Sequence, residues 1–382
     1  MRRLLLLSAL VASTVAVGFA QAPKYQVEPL WPKPFPVAKH WILGSVSGLA
    51  VDPQDHIWVV HRGVDSLQNN EKGPTLEPWA SECCFSAPQV LEFDTAGTLV
   101  SSWDVGSGKG YDWPHDPAGL AIDGKGNVWI AGGLPPSNLP ARGRGPAPEG
   151  GAPAAGRGRG DAAAARGRGG APAAPPRPAD AQVLKFDKTG KFVSQIGKAG
   201  QTDASSESNL DRPLGVAVDD AANEVYVADH GHMRIAVFDA NTGAFKRAFK
   251  GNGGDFKVAS CVKIGKDGMV YVCDRENDRI QVFQKNGTFV KEAAVAKGTG
   301  ADGSVWDLTW TPDQRNILVA DGHNKKIWIL DAKTLATTGS FGQGGRYPGE
   351  FYGVGSVGVD SKGNVYTGEN YEGKRVQKFD KK

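Results

Sequence analysis

The sequence predicts an all-β fold: a six-bladed β-propeller of four-stranded antiparallel blades, closed by an N-terminal strand. Three observations carry that expectation. Residues 214–249 hold four short runs rich in valine, isoleucine and aromatic residues, parted by Gly, Asp and Asn, which is the pattern of a four-stranded meander. The aromatic or leucine position of the second run recurs at Trp58, Trp129, Tyr226, Tyr271, Leu318 and Tyr366, and the last four lie 45, 47 and 48 residues apart. That is the length of a propeller blade. The third run recurs with it, as Val90-Leu91-Glu92-Phe93-Asp94, Val183-Leu184-Lys185-Phe186-Asp187, Ile235-Ala236-Val237-Phe238-Asp239, Ile280-Gln281-Val282-Phe283, Ile327-Trp328-Ile329-Leu330-Asp331 and Val376-Gln377-Lys378-Phe379-Asp380. One such sheet cannot bury both of its faces alone, so the repeats must stack on one another.

Taken in order, the chain opens Met1-Arg2-Arg3, continues with an apolar run over 4–19 and reaches Ala20-Gln21-Ala22-Pro23. A basic head, an apolar stretch and small residues spell a secretory signal segment, 1–20. Cleavage is expected after Ala20, because a cut after Ala22 would be followed by Pro23. No later apolar run is long enough to span a bilayer, so the expected location is periplasmic or extracellular. Residues 21–382 then read as a single propeller. Tyr25-Gln26-Val27-Glu28-Pro29 is a lone strand-like run, while the last blade reaches Asp380 with only three strands. Placing the first run beside the last would complete that blade and remove an open sheet edge.

Blade one begins at 47–52 and continues at 57–63, before a long loop that holds Cys83 and Cys84. Four cysteines in an exported chain allow three pairings. Cys261 and Cys273 face each other if Ile264 pairs with Val270 across the turn; a local bond there and a buried free thiol both fit. Cys83 and Cys84 are open in the same way, as a vicinal bridge or as thiols.

Blade two runs through 119–123 and 127–131 and is then interrupted. Residues 134–181 are almost wholly Ala, Gly, Pro and Arg, with Arg-Gly-Arg at 142–144, 157–159 and 166–168. Such a composition cannot bury a core and is expected to be disordered. Strand three resumes at Gln182, so the segment is a loop insertion within a blade. Lengthening a loop from about six residues to about 48 costs only about 2 kcal/mol of closure entropy. As a coil it would reach roughly 35–40 Å, enough to sweep a propeller face.

The net charge of +3 belongs to these appendages: two positive charges come from the signal segment and four from the insertion, leaving −3 on the propeller. The propeller shows no basic stripe, and no nucleic-acid partner is expected despite the Arg-Gly repeats.

In an antiparallel meander every loop between strands two and three emerges on one face. That face collects His61 and Arg62, the insertion, His230 and His232, Arg275-Glu276-Asn277, His323-Asn324 and Glu369-Asn370-Tyr371. Loops leading into each blade open on the same side and bring Trp113-Pro114-His115-Asp116. Five of the seven histidines therefore converge on one mouth of the channel, which makes it the expected binding site. The candidate ligand-binding residues are His61, Arg62, Trp113, His115, His230, His232, Arg275, His323, Glu369, Asn370 and Tyr371. Asp229 and Asp274 are each followed five residues later by Arg234 and Arg279, a repeated spacing that points to structural bonds. His40 and His56 stand apart and carry no inference.

The repeats Gly215-Val216-Ala217-Val218-Asp219, Glu224-Val225-Tyr226-Val227-Ala228-Asp229 and Arg234-Ile235-Ala236-Val237-Phe238-Asp239 resemble NHL repeats. Among enzymes, the chain resembles peptidyl-α-hydroxyglycine α-amidating lyase, a six-bladed NHL propeller. Val60-His61-Arg62-Gly63 and Val272-Cys273-Asp274-Arg275-Glu276-Asn277-Asp278-Arg279-Ile280-Gln281 read much like that family's loops. The resemblance covers most of 45–380 outside the insertion. It implies a zinc held in the channel by three histidines, with an arginine and a tyrosine acting on the substrate. Three imidazoles and an open position suit a catalytic zinc. Arg62 fits the arginine position as a candidate catalytic residue. The three histidine positions fall on Ala118, Ser260 and Gly355, and the tyrosine loop holds His230-Gly231-His232.

The expected function is therefore an exported, monomeric binding module that takes a protein, peptide or small-molecule ligand on the insertion-bearing face. The alternative is a metal-dependent lyase or hydrolase with a rearranged site, its metal candidates being His115, His230, His232 and His323. A lactonase-like site with carboxylate metal ligands would draw on Glu369 and Asn370. Zinc or calcium enters by resemblance alone.

Overall fold

The computed structural model describes residues 22–103, 105–106, 110–133, 178–300 and 302–382. The expected signal segment, 1–20, and nearly all of the 134–181 insertion lie outside the described residues. Six four-stranded antiparallel sheets form the molecule. Blade one is Val46–Val51, Ile57–His61, Val90–Phe93 and Leu99–Trp103. Blade two is Pro117–Ile122, Val128–Gly132, Gln182–Phe186 and Phe192–Gly197, so the insertion does join strands two and three. Blade three is Pro213–Asp219, Glu224–Asp229, Arg234–Asp239 and Phe245–Phe249. Blade four is Ala259–Ile264, Val270–Asp274, Arg279–Phe283 and Phe289–Ala294. Blade five is Asp307–Trp310, Asn316–Asp321, Lys326–Asp331 and Thr337–Phe341. Blade six is Val354–Val359, Val365–Glu369 and Val376–Lys381, with Tyr25–Glu28 as its outer strand. The closure runs antiparallel from Tyr25 opposite Lys381 to Glu28 opposite Lys378, as the strand count predicts.

The second strands read as near-continuous apolar runs because both of their faces are covered. Every residue of Ile57–His61, Val128–Gly132, Glu224–Asp229 and Val270–Asp274 is buried, whereas the outer Phe245–Phe249 and Phe289–Ala294 alternate between part-buried and exposed. Each core cluster lies between neighbouring blades. Tyr226, Ala228 and Val237 of blade three, for example, pack on Val262, Val272 and Phe283 of blade four. Burying these side chains contributes roughly 1.5–3 kcal/mol each, so the blades stabilise one another.

Close approach of the innermost strands requires glycine. A Cβ on Gly48 would lie 2.4 Å from the Ala118 carbonyl oxygen, and one on Gly119 would lie 2.7 Å from the Gly215 Cα. These residues let adjacent blades touch backbone to backbone around a central cavity of about 40 Å³.

At the far end of the strands, the turns between strands one and two are held by an aspartate. Asp123 accepts the Lys125 and Asn127 amides at 3.0 and 2.8 Å and the Trp129 indole N–H at 3.0 Å. Asp360 repeats this with Lys362, Asn364 and the Tyr366 hydroxyl. In blade one His56 occupies the asparagine place, and its Nδ1 lies 2.6 Å from Glu92. His56 is thus not isolated, contrary to expectation: strand pairing brings Glu92 beside it across 36 residues of sequence.

Both open cysteine questions resolve as local pairs, Cys83–Cys84 and Cys261–Cys273, the second across the register pair that the strands predict. No helix among the described residues is long and apolar enough to cross a membrane.

Candidate ligand site at the channel mouth

The residue that follows each second strand stands at the mouth. In blade order these are Arg62, Gly133, His230, Arg275, Gly322 and Asn370. The last residue of the strand, one step deeper, holds the adjoining loops. Asp229 accepts the Asp211 amide at 2.7 Å and pairs with Arg234 at 2.8 Å. Asp274 accepts the Lys257 amide at 3.0 Å and pairs with Arg279 at 2.8 Å. The two Asp–Arg repeats are structural bonds, as their spacing predicts.

Glu369 plays this part in blade six. It is fully buried, accepts the Tyr352 amide at 2.6 Å and pairs with Arg375. With both oxygens committed, it does not face the mouth as a ligand-binding or metal-binding carboxylate, and this corrects its place among the candidates.

In blade one His61 takes the same role. It has no exposed surface; Nδ1 accepts the Gly44 and Gly63 amides at 3.2 and 3.1 Å, and Nε2 donates to the Pro88 carbonyl at 2.9 Å. Burial pushes its pKa down to about 4, which keeps the ring neutral and Nδ1 free to accept. His61 is therefore scaffold beneath the mouth. His232 is likewise committed, with Nδ1 2.8 Å from Asp229 and Nε2 3.1 Å from the Thr202 carbonyl.

Blade two ends its second strand on glycine, and the missing acceptor comes from elsewhere. Asp180, buried, accepts the His115 and Asp116 amides at 3.0 and 2.8 Å. The end of the segment assigned to the insertion is thus part of the blade's framework.

Above this scaffold sit the side chains that do face the mouth. Arg62 donates from Nη1 to Asn370 at 3.0 Å on one side. On the other side its Nε lies 2.8 Å from Asp116 Oδ1, out of line for a hydrogen bond. Burial raises the pKa of Asp116, and Arg62 opposes that shift. Arg275, three blades away, lies 4.6 Å over the Trp306 ring. It keeps part of its surface open, while its Nε is out of solvent and has no hydrogen-bond partner among the described residues. Among the described residues no carboxylate pairs with it. Burial lowers its pKa; Tyr371, Glu276 and Asp302 oppose that, and the charge of Arg62 adds to it. His230 is part-buried, its Nδ1 also out of solvent without a partner among the described residues. Burial and the charges of Arg212 and Arg275 push its pKa down to about 4.

The remaining candidates are more peripheral. Tyr371 packs edge-on against Trp306 at 5.8 Å, and its carbonyl accepts the Ser45 hydroxyl at 2.6 Å. The indole N–H of Trp113 is buried without a partner among the described residues. His115 is part-buried beside Asp116. His323 is exposed, 3.7 Å from Asp302.

Sequence reasoning missed Arg212 and Trp306 and left Asp116 and Asp180 out of the candidate set. Asp116, Arg212 and Trp306 each stand immediately before a blade's first strand, a position that register alone identifies.

The histidines His115, His230, His232 and His323 do not assemble into a metal site. Among the described residues the one three-residue group with metal-binding donors is Asp52, His56 and Glu92, at the opposite end of the strands. The positions that would carry a three-histidine zinc hold Ala118, Gly355 and Ser260, whose hydroxyl donates to the Val305 carbonyl at 2.9 Å. These residues do not fit that zinc.

A family model for the NHL repeat matches residues 210–238. Peptidyl-glycine alpha-amidating monooxygenase B of Xenopus laevis is 25% identical over 274 residues, 65% of this chain and 24% of that protein. The chain therefore spans about a quarter of the length of the curated relative it matches. Among solved structures, one of unknown function from Bacteroides thetaiotaomicron superposes with a TM-score of 0.54 at 13% identity, covering 89% of this chain and 70% of that one. A streptogramin B lyase superposes at 0.50 and 11% identity, covering 89% and 94%. At these identities the structural likeness speaks for the fold alone.

Proposed function

We propose that this chain, a six-bladed propeller of the NHL-repeat family, is an exported binding module that takes an acidic ligand at the insertion-bearing mouth of its channel. One observation carries the reading: Arg275, across the ring from Arg62, has its Nε out of solvent without a hydrogen-bond partner and pairs with no carboxylate among the described residues. An uncompensated charge in such a place is costly, and an anion supplied by a ligand offsets that cost. Arg62 and Asn370 brace the opposite side, so the ligand's acidic end would enter a preformed setting. The rival reading, a metal-dependent lyase or hydrolase, draws on Arg62 and on the similarity to the amidating enzyme, but it finds no histidine set at the mouth.

The test is calorimetric titration of the mature protein with a panel of short acidic peptides and organic acids, beside their amide counterparts. Binding of acids over amides, weakened at least tenfold in R275M, is the expected result; a tenfold loss corresponds to about 1.4 kcal/mol. Equal binding of acids and amides, or undiminished binding in R275M, would overturn the reading. N-terminal sequencing of the exported chain tests cleavage after Ala20.

A further inference from the structure

We infer that His230 takes up a proton when an oxyanion binds beside Arg275, so that the mouth holds such anions more tightly as the pH falls. The inference rests on the acidic-ligand reading above and adds to it a second residue and a coupled proton.

Two polar atoms at the mouth, Arg275 Nε and His230 Nδ1, are buried and have no hydrogen-bond partner among the described residues. They belong to equivalent positions of adjacent blades, each the first residue after the second strand. A buried donor without a partner is uncommon and calls for an explanation such as a ligand. An oxyanion has two or more acceptor oxygens and can take an N–H from each.

The charges around His230 fix the direction of the coupling. Arg275 of blade four and Arg212, from the loop that leads into blade three, both bear on the ring. Asp211 is the acidic neighbour, and it is already held by the Arg212 guanidinium at 3.2 Å through both oxygens. His232, on the same loop, is turned to Asp229 and Thr202. Glu276 and Asp302 act on Arg275. Of the three charges that bear on the ring itself, two are cationic and one anionic, so the free ring stays neutral. A bound anion reverses that balance, raises the proton affinity of the ring and gives the protonated form two N–H donors. The proton comes from solvent, and no covalent bond is made or broken.

By linkage, whatever factor the anion adds to proton binding, the proton adds to anion binding. The free ring titrates near 4. A rise of one to two pH units in the bound state corresponds to a gain of about 10- to 100-fold in affinity. Affinity is level above the bound-state pKa, climbs as pH falls through it, and levels again near 4.

The experiment is NMR titration of the full chain with labelled histidine, from about pH 8 to about pH 4, at constant ionic strength. It is run without added anion, with sodium sulfate and with sodium formate; sulfate keeps its charge throughout, and the two probes separate tetrahedral oxyanions from carboxylates. H230Q assigns the resonance, and the Trp306 indole reports occupancy. The expected result is a His230 midpoint at least one unit higher with either probe, absent in R275M and R275K, and a flat pH profile of sulfate affinity in H230Q. Saturable binding with an unmoved His230 midpoint would overturn the proton coupling and leave the binding function standing. No saturable response to either probe would remove the acidic-ligand reading, and this inference with it.

Discussion

His61 makes this propeller acid-sensitive by a calculable amount. The ring accepts two backbone amides through Nδ1 and has no exposed surface, so the native state keeps it neutral. Its pKa falls from 6.5 to about 4 on folding, with burial as the cause. Between those values the unfolded chain binds a proton that the native chain refuses. The stability this contributes is present at neutral pH and is lost as pH falls from about 6.5 towards 4. At roughly 1.4 kcal/mol per unit the whole effect is about 3 kcal/mol, and about 2 kcal/mol of it is gone by pH 5. The assay is urea unfolding followed by tryptophan fluorescence at pH 7 and pH 5, on wild type and on H61Q. Glutamine can still accept the Gly44 and Gly63 amides and donate to Pro88, but it cannot titrate. Other groups, His230 among them, respond to pH in both proteins and cancel in the difference. H61Q should lose about 2 kcal/mol less than wild type between the two pH values. Parallel losses, agreeing within about 0.5 kcal/mol, would refute a neutral buried His61.

Two further outcomes follow from blade two. D180A leaves the His115 and Asp116 amides buried and unpaired, at about 1–3 kcal/mol each, so the unfolding free energy should fall by about 2–6 kcal/mol, with D180N in between. A D180A unfolding free energy within about 0.5 kcal/mol of wild type would show that the framework does not depend on that carboxylate. Replacing 134–177 with about six Gly and Ser residues should preserve the fold and stabilise it by up to about 2 kcal/mol, since less closure entropy opposes folding. The flanks meet already, a Cβ on Gly132 falling 3.0 Å from that of Asp180. Loss of cooperative unfolding in the shortened chain would mean that the segment packs on the propeller.

The propeller was legible because its physics is local and repeated. Valine-rich alternation, Asp-and-Gly turns and an aromatic at Trp58, Trp129, Tyr226, Tyr271 and Tyr366 each act within a few residues, and repetition at blade length leaves few other ways to bury them. Even the closing strand, Tyr25–Glu28, followed from counting. The face on which the loops gather was equally readable, being a consequence of antiparallel order.

Which of those loop residues are ligand-facing was not readable. His61, Glu369 and Arg62 look alike as polar residues near the ends of second strands, yet one position along a strand reverses the side to which a side chain points. That single step puts His61 and Glu369 under the mouth as hydrogen-bond acceptors and Arg62 in it. Asp180 could not be assigned from composition, since only the folded blade shows that its own second strand lacks an acceptor. The sequence alone determined the architecture and the insertion point. Tertiary structure alone decided that Arg275 Nε and His230 Nδ1 lack hydrogen-bond partners among the described residues, because a missing partner is a property of everything that surrounds a group and of no segment by itself.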